Sequence, residues 1–228
     1  MAKGKIILME GTDGSGKNTQ AKKLVERLTQ DGLPCEMMSF PRYDTPTGRI
    51  IGQCYLGKNL GEGDKAWFGE ADSVDPNVAS LYYSADQKAA EGEIRRIINS
   101  GTHLVLDRYV ESNMGHQGGK ETDPEKRKKF IKFIEDLSYG VLNLPRPDLT
   151  IFLYLPYEHG EVLRKKRGGE RDGHESNLDH LIRAEETYEF LSEKYEWKKI
   201  TCNVLGNTRS EEDISEEVYK HVLPLIKQ

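Results

Sequence analysis

The sequence predicts an α/β fold built on a doubly wound five-stranded parallel sheet with helices on both faces. Two observations support this prediction: short apolar runs recur along the chain, and amphipathic stretches separate them. Short runs that are apolar throughout are typical of strands buried on both faces. Strands that alternate with helices favour parallel pairing through helical crossovers. The five predicted strands are Lys5 to Glu10, Pro34 to Phe40, His103 to Asp107, Leu149 to Leu155 and Lys199 to Cys202.

The segments between the strands carry the periodicity and end signals of helices. The first helix follows a glycine-rich turn and ends at Asp31-Gly32. Asp75 and Pro76 begin a long helix that we expect to reach about Asn99. The residues expected to face inward on it are Val78, Leu81, Ala85, Ile94, Ile97 and Ile98. Two further helices are predicted over Thr45 to Leu56 and over Asn177 to Tyr195. Three others are predicted to begin at Thr122, where the spacing fits a capping box, after Leu155, and at Ser210. The stretch from Gly57 to Ser73 is predicted to be a loop.

The composition fits one soluble domain, residues 1–228. A chain of 228 residues is long enough for one well-buried core and shorter than chains that usually divide. The net charge of −5 gives no basic field for nucleic acid, so we expect no nucleic-acid partner. Three widely spaced cysteines favour a reducing, cytoplasmic compartment. The apolar run near the N-terminus is too short for a signal peptide or a membrane span.

A glycine-rich phosphate loop follows the first predicted strand. Gly11 to Lys17 match the pattern G-x-x-x-x-G-K between a strand and a helix. Glycines let backbone N–H groups surround phosphate, and the helix that follows adds its positive end. The residues expected to bind ATP phosphates are Gly11, Gly14, Ser15, Gly16, Lys17, Asn18 and Thr19.

The residue after the phosphate-loop lysine departs from the usual pattern. A Ser or Thr normally follows the lysine and binds Mg²⁺, whereas this chain has Asn18. The Asn18 amide oxygen can itself be a hard-cation ligand. Alternatively Mg²⁺ is held mainly through water and Asp107, or catalysis is impaired. The sequence leaves these three interpretations open.

Several further motifs follow the predicted strands in order along the chain. They are Gly11-Thr-Asp-Gly, Phe40-Pro-Arg42 with Thr47-Gly-Arg49, Asp107-Arg-Tyr109 with Ser112-Asn113 and His116-Gln-Gly118, and Pro147-Asp-Leu149. Together these motifs resemble those of thymidylate kinases, which are P-loop nucleoside monophosphate kinases, and the resemblance covers most of the chain, from the phosphate loop to a basic segment near residue 170. The resemblance implies ATP and dTMP as substrates, Mg²⁺ as cofactor and a homodimer.

The resemblance also implies roles for individual residues. Asp13 would accept a hydrogen bond from the acceptor's sugar, although Asp is also common as a turn-stabilising residue. Arg42, assigned as catalytic with Lys17 and Asp13, would grip the acceptor phosphate, and Arg108 would be a second arginine there. Tyr83 would stack on thymine or simply pack in the core. The other acceptor-site residues implied are Phe40, Gln87, Tyr109, Ser112, Asn113 and Gln117.

Two features qualify the expected specificity and catalysis. Gln87 stands where the family usually has an arginine that contacts the thymine carbonyl, so base preference is open. The segment from Arg164 to Arg171 is rich in cations, either as an ordinary basic surface or as a short basic lid, about residues 164–175, over the donor phosphates. Because the phosphate loop has Gly14 where some relatives have an arginine, Arg167 and Arg171 are the candidate catalytic arginines.

The resulting hypothesis is Mg²⁺-dependent transfer of the ATP γ-phosphate to dTMP. Gln87 motivates one alternative, a kinase for another deoxynucleotide or a nucleoside. Asn18 motivates another, a weakly active nucleotide-binding regulatory module.

Overall fold

The computed structural model describes residues 3–58, 66–160, 178–204 and 207–227. Within them, five strands form one parallel sheet in the order β2-β3-β1-β4-β5. The strands are β1 (Ile6–Gly11), β2 (Cys35–Ser39), β3 (His103–Asp107), β4 (Leu149–Tyr154) and β5 (Lys198–Thr201). The predicted fold is therefore confirmed. A small antiparallel pair, β6 (Asn203–Val204) and β7 (Asn207–Thr208), was not predicted.

Helices cover both faces of the sheet. They are α1 (Lys17–Gln30), α2 (Pro46–Arg49), α3 (Pro76–Asn99), α4 (Val110–Gly118), α5 (Pro124–Glu135), α6 (Leu178–Lys194) and α7 (Glu211–Ile226). Helix α2 continues as a π-helix over Ile50–Tyr55, and α5 as another over Asp136–Val141. Of these elements, α4 was not predicted, because its residues read as polar positions after a strand.

Alternate side chains along the strands pack into two hydrophobic cores, one on each face of the sheet. In β1, Ile6 and Leu8 pack with α3 to α6 on one face, whereas Ile7 and Met9 pack with α1 and α7 on the other. This alternation follows from the two-residue period of a strand. Ligand-binding loops are therefore left at the strand ends. In the part of the chain that the structure describes, no helix combines the length and apolarity that a membrane crossing needs.

The inward face predicted for α3 is correct only in its second half. Ile94, Ile97 and Ile98 are buried, but Val78, Leu81 and Ala85 are exposed. The first half of α3 instead turns polar side chains inward, namely Ser80, Ser84, Asp86 and Gln87. These residues lie where α3 packs against α2 and α4 rather than against the sheet. Their polar side chains therefore face these two helices and not the apolar core.

The start of α5 also differs from the prediction. Asp123, not Thr122, caps the helix by accepting hydrogen bonds from the backbone N–H groups of Glu125 (2.8 Å) and Lys126 (3.0 Å). Pro124 occupies the first helical position, which makes the preceding residue the cap. The other predicted caps, Asp75 for α3 and Ser210 for α7, are confirmed.

Candidate active site

The phosphate loop joins β1 to α1 and is shaped by glycines. Gly14 and Gly16 both have φ near 85°, a left-handed conformation that side chains disfavour. Gly16 precedes α1, and no side chain caps the first turn of that helix. The helix therefore presents backbone N–H groups and its positive dipole end at the loop, which is the geometry that binds phosphate.

Thr12 anchors this loop to the end of β4. Its hydroxyl donates to the Leu155 carbonyl at 2.6 Å and accepts from the Leu155 N–H at 2.9 Å. The Thr12 N–H also donates to the Leu153 carbonyl at 3.2 Å. The role of Thr12 was not predicted, because nothing local in the sequence links position 12 to position 155.

Lys17 lies inside the loop, largely buried. Its ammonium donates to the carbonyls of Gly11 and Thr12, each at 2.8 Å, and lies 3.8 Å from Asp13 Oδ1. Burial, together with the positive charge of Arg108, lowers the pKa of Lys17 to about 8. An anion in the loop would offset both effects, so the site favours a phosphate next to this lysine.

Asp13 and Arg108 form an ion pair across the site. Arg108 Nη2 donates to Asp13 Oδ1 at 2.9 Å. Burial opposes ionisation of Asp13, but the positive charges of Arg108 and Lys17 outweigh it and hold the pKa of this carboxyl well below the ordinary value. Asp13 is therefore a carboxylate, able to accept a hydrogen bond from a ligand hydroxyl.

Arg42 is held by Asp86, which is 1% exposed on α3. The carboxylate accepts from the Arg42 N–H at 2.9 Å and from Arg42 Nε at 3.3 Å, while Arg42 Nη2 donates to the Asp86 carbonyl at 3.0 Å. Gly48 lies against the same turn, where an added Cβ would come within 1.9 Å of the Arg42 carbonyl oxygen. The position of Arg42 after β2 is thus fixed from two sides. Asp86 was missed as a functional residue.

The ends of β2 and β3 meet next to the phosphate loop. Phe40 N–H donates to the Asp107 carbonyl at 3.0 Å, and Phe40 packs on Tyr109 with ring centroids 5.4 Å apart. Since β3 lies between β1 and β2, this pairing brings Arg42, Arg108 and the phosphate loop to one edge of the sheet.

Asn18 and Asp107 are in direct contact at that edge. Asn18 Nδ2 donates to Asp107 Oδ2 at 2.9 Å, and the Ser39 hydroxyl lies 3.5 Å from the same oxygen. Carboxylate, amide and hydroxyl oxygens are the donors that Mg²⁺ prefers. The donor set therefore fits the metal. No cluster of three His, Cys, Asp or Glu side chains suited to a metal is present in residues 3–58, 66–160, 178–204 and 207–227.

Ser112 and Tyr109 contact Glu10, a buried residue at the end of β1 that the sequence analysis did not assign. The Ser112 hydroxyl lies 2.8 Å from both Glu10 oxygens, and the Tyr109 N–H donates to Glu10 at 3.2 Å. Burial raises the pKa of Glu10, and Arg108 and Ser112 oppose the rise. Glu10 thus joins the phosphate loop to the start of α4.

The other predicted acceptor residues line the contact between α3 and α4. Tyr83 packs edge-on against Tyr55 with centroids 6.0 Å apart, and Gln117 Nε2 donates to the Tyr55 hydroxyl at 3.0 Å. Asn113 Nδ2 donates to the Ser80 carbonyl at 3.3 Å. Gln87 Oε1 and Asn113 Oδ1 are buried without a hydrogen-bond partner among the described residues. These atoms can still pair with a ligand that reaches them.

The lid lies outside the described residues. Arg164, Arg167, Arg171 and the whole predicted lid fall in residues 161–177, so their roles stay predictions. Ser15 and Thr19 lie in and directly after the loop as expected, with Ser15 buried.

Strand order, a phosphate loop leading into α1, and two arginines at the neighbouring strand ends define a P-loop nucleotide kinase. A model of the family described as thymidylate kinase matches residues 9–218. The chain therefore belongs to the thymidylate kinase family.

Several relatives agree with this assignment, and one solved structure has the same fold. The chain is 30% identical over 228 residues to the thymidylate kinase of Prochlorococcus marinus (strain NATL2A), covering 99% of each protein. It is 29% identical to that of Dictyostelium discoideum, covering 95% of this chain and 83% of that protein. Identity to the human thymidylate kinase is 31%, covering 67% of this chain and 62% of the human protein. The structure of the Candida albicans enzyme superimposes with a TM-score of 0.73 at 23% identity, covering 98% of this chain and 93% of that one.

Proposed function

We propose that this protein transfers the γ-phosphate of ATP to dTMP, giving ADP and dTDP. The observation that best supports this is the placement of Arg42 and Arg108 at the ends of β2 and β3, beside the phosphate loop after β1. The phosphate loop forms one anion site and the two arginines form another. Two neighbouring anion sites suit a donor and an acceptor phosphate that are brought into line. A pure nucleotide switch has no need for the second site.

The described residues act by binding and orienting. The phosphate loop and Lys17 hold the donor phosphates, and Arg42 and Arg108 hold the acceptor phosphate. Because the acceptor phosphate is already an anion, it attacks without a general base. Asp13, held ionised by Arg108, orients the acceptor through a hydroxyl of the sugar.

Mg²⁺ belongs to the proposal as the cofactor. When bound it would neutralise charge on the donor phosphates, and Asp107 and Asn18 would hold it directly or through water. The basic segment with Arg167 and Arg171 is proposed to close over these phosphates. It would supply the positive charge that the phosphate loop lacks, because position 14 is a glycine.

A homodimer in the cytoplasm is also part of the proposal. Val78, Leu81 and Ala85 are exposed at spacings that place them on one face of α3. An apolar stripe of this kind is suited to a two-fold contact with a second copy. All three cysteines are free, which fits a reducing compartment.

An acceptor panel tests the activity. ADP release would be measured with dTMP, dUMP, dCMP, dGMP and thymidine as acceptors, with and without Mg²⁺. The proposal predicts the highest kcat/KM for dTMP. A faster reaction with another deoxynucleotide or with thymidine would favour the alternative that Gln87 raises. ATP binding without transfer to any acceptor would favour the regulatory module.

A further inference from the structure

Two histidines from different helices lie next to each other beside the acceptor site. The rings of His116 on α4 and His180 on α6 are nearly parallel, 5° apart, with centroids separated by 5.6 Å. His116 Nδ1 lies 3.3 Å from His180 Nε2. His180 is completely buried, and the edge of the Tyr188 ring packs on His116. Neither histidine has a role in the mechanism above.

Each end of the pair contacts a charged side chain. His116 Nε2 lies 3.1 Å from Arg108 Nη1, and Arg108 in turn pairs with Asp13. His180 Nδ1 lies 3.0 Å from Asp72 Oδ1, on a short helical turn at Ala71–Ser73. The Asp72 carboxylate therefore places a negative charge next to Nδ1 of His180. The five side chains form one continuous series.

The two ends dictate where the protons lie. A guanidinium only donates, so His116 Nε2 must accept and its proton must lie on Nδ1. That proton is then donated to His180 Nε2, which places the His180 proton on Nδ1, facing the Asp72 carboxylate. The whole series is consistent when both rings are neutral and both are the Nδ1–H tautomer. Adding a proton to His116 would set a donor against a donor at Arg108.

We propose that His116 and His180 are positioning residues that hold the Arg108 guanidinium towards the acceptor phosphate. The proposal rests on the proposed function only for the role of Arg108. Asp13 and His116 contact the two Nη atoms and use two of the five guanidinium N–H groups, so phosphate can bind without either contact breaking.

The backbone at Arg108 supports the same inference. Its φ is 66°, in the left-handed region, which is unfavourable for a residue with a side chain and persists only where the surroundings impose it. Here the side chain is fixed at its far end by Asp13 and by the histidine pair. Among the residues that the structure describes, the charged groups that face the pair are Asp13, Arg108 and Asp72, and Glu185 lines the small cavity next to His116.

The first test measures the tautomers and needs no activity. In the full-length protein at pH 8, long-range ¹⁵N–¹H imidazole spectra would be recorded and the two residues assigned from His116→Gln and His180→Gln. The proposal predicts a protonated Nδ1 and an unprotonated Nε2 in both rings. An Nε2–H tautomer in His116 would overturn it, because Arg108 could then not donate to that atom.

The second test is a matched pair of variants at His180. His180→Phe keeps a ring but removes the nitrogen that accepts from His116, whereas His180→Gln retains an acceptor near that position. We expect His180→Phe to raise the KM for dTMP about three- to tenfold, the loss of about one hydrogen bond, with the KM for ATP within about twofold. His180→Gln should recover most of the loss, and Asp72→Asn should shift the KM for dTMP in the same direction as His180→Phe but by less.

The outcomes separate the two proposals. An equal change in both KM values, or no recovery in His180→Gln, would show that His180 only supports the fold and would overturn the positioning role. If the wild-type protein has the predicted tautomers but no activity on dTMP, the proposed function fails and the histidine series stands.

Discussion

Asp86 is the residue whose replacement most directly tests how Arg42 is positioned. Its buried carboxylate accepts from the Arg42 N–H, from Arg42 Nε and, at 2.7 Å, from the Thr47 hydroxyl. In Asp86→Ala all of these bonds are lost. Because the Arg42 side chain is only 14% exposed, hydrogen bonds to water replace few of them. We therefore expect the variant to change both stability and acceptor binding.

The magnitude follows from the contacts. Removing one partner of a buried ion pair costs about 3–5 kcal/mol of unfolding free energy, and the partial exposure of Arg42 places the expected loss near the lower limit, about 3 kcal/mol. Asp86→Asn retains one oxygen, so it should lose about 1.5–3 kcal/mol, the contribution of one charge-assisted bond. Freeing the Arg42 side chain should raise the KM for dTMP about 10- to 30-fold, which corresponds to about 1.4–2 kcal/mol.

Urea denaturation and steady-state ADP release measure the two effects. The KM for ATP should change less than about twofold, because no contact joins Asp86 to the phosphate loop in the residues that the structure describes. Thr47→Val is the matched control: it removes one donor to Asp86 but leaves both Arg42 contacts, and should cost about 1 kcal/mol with little effect on either KM. A normal KM for dTMP in folded Asp86→Ala would show that Asp86 does not position Arg42 for acceptor binding.

Three further predictions concern the phosphate loop and a buried carboxyl group. Lys17→Met should lower kcat at least about 100-fold, since it removes a cation next to the transferring phosphate, and single-turnover rates would measure the loss. Thr12→Val should lower the affinity for ATP while the affinity for dTMP is retained, because it releases the loop from Leu155; equilibrium titrations with both nucleotides would show whether the effect is selective. Burial raises the pKa of Glu111 from 4.5 to about 7, so the folded state retains a proton that the unfolded state loses. The free energy of unfolding should therefore fall by up to about 3 kcal/mol as the pH rises from 4.5 to 7. Glu111→Gln should flatten that pH dependence in urea denaturation, and an unchanged slope would show that Glu111 is not its source.

The parts of the site predicted from sequence are those in which the chemistry lies in one short segment. Gly11 to Lys17 and Asp107 to Tyr109 each follow a strand directly, so the fold class alone brings them to the same edge of the sheet. The family resemblance then supplied roles for residues such as Arg42.

The parts that were missed depend on contacts between distant positions. Asp86 meets Arg42 across 44 positions and His116 meets His180 across 64. The predicted inward face of α3 was wrong in its first half for the same reason: hydrophobic periodicity places Leu81 inside, but this half packs on α2 and α4, and Asp86 is buried there instead. Periodicity reports the burial of apolar surface and carries no information on which polar pairs are buried.

The proposed reaction requires two phosphate sites that face each other, the loop ending at Lys17 and the guanidinium of Arg42. Steady-state kinetics of Arg42→Ala, with Arg42→Lys as the variant that keeps the charge, test it most directly. We expect Arg42→Ala to raise the KM for dTMP at least about 30-fold with the KM for ATP nearly unchanged. Arg42→Lys should recover only part of the loss, because an ammonium cannot bind phosphate in two places. A KM for dTMP that stays at the wild-type value in Arg42→Ala would contradict the claim.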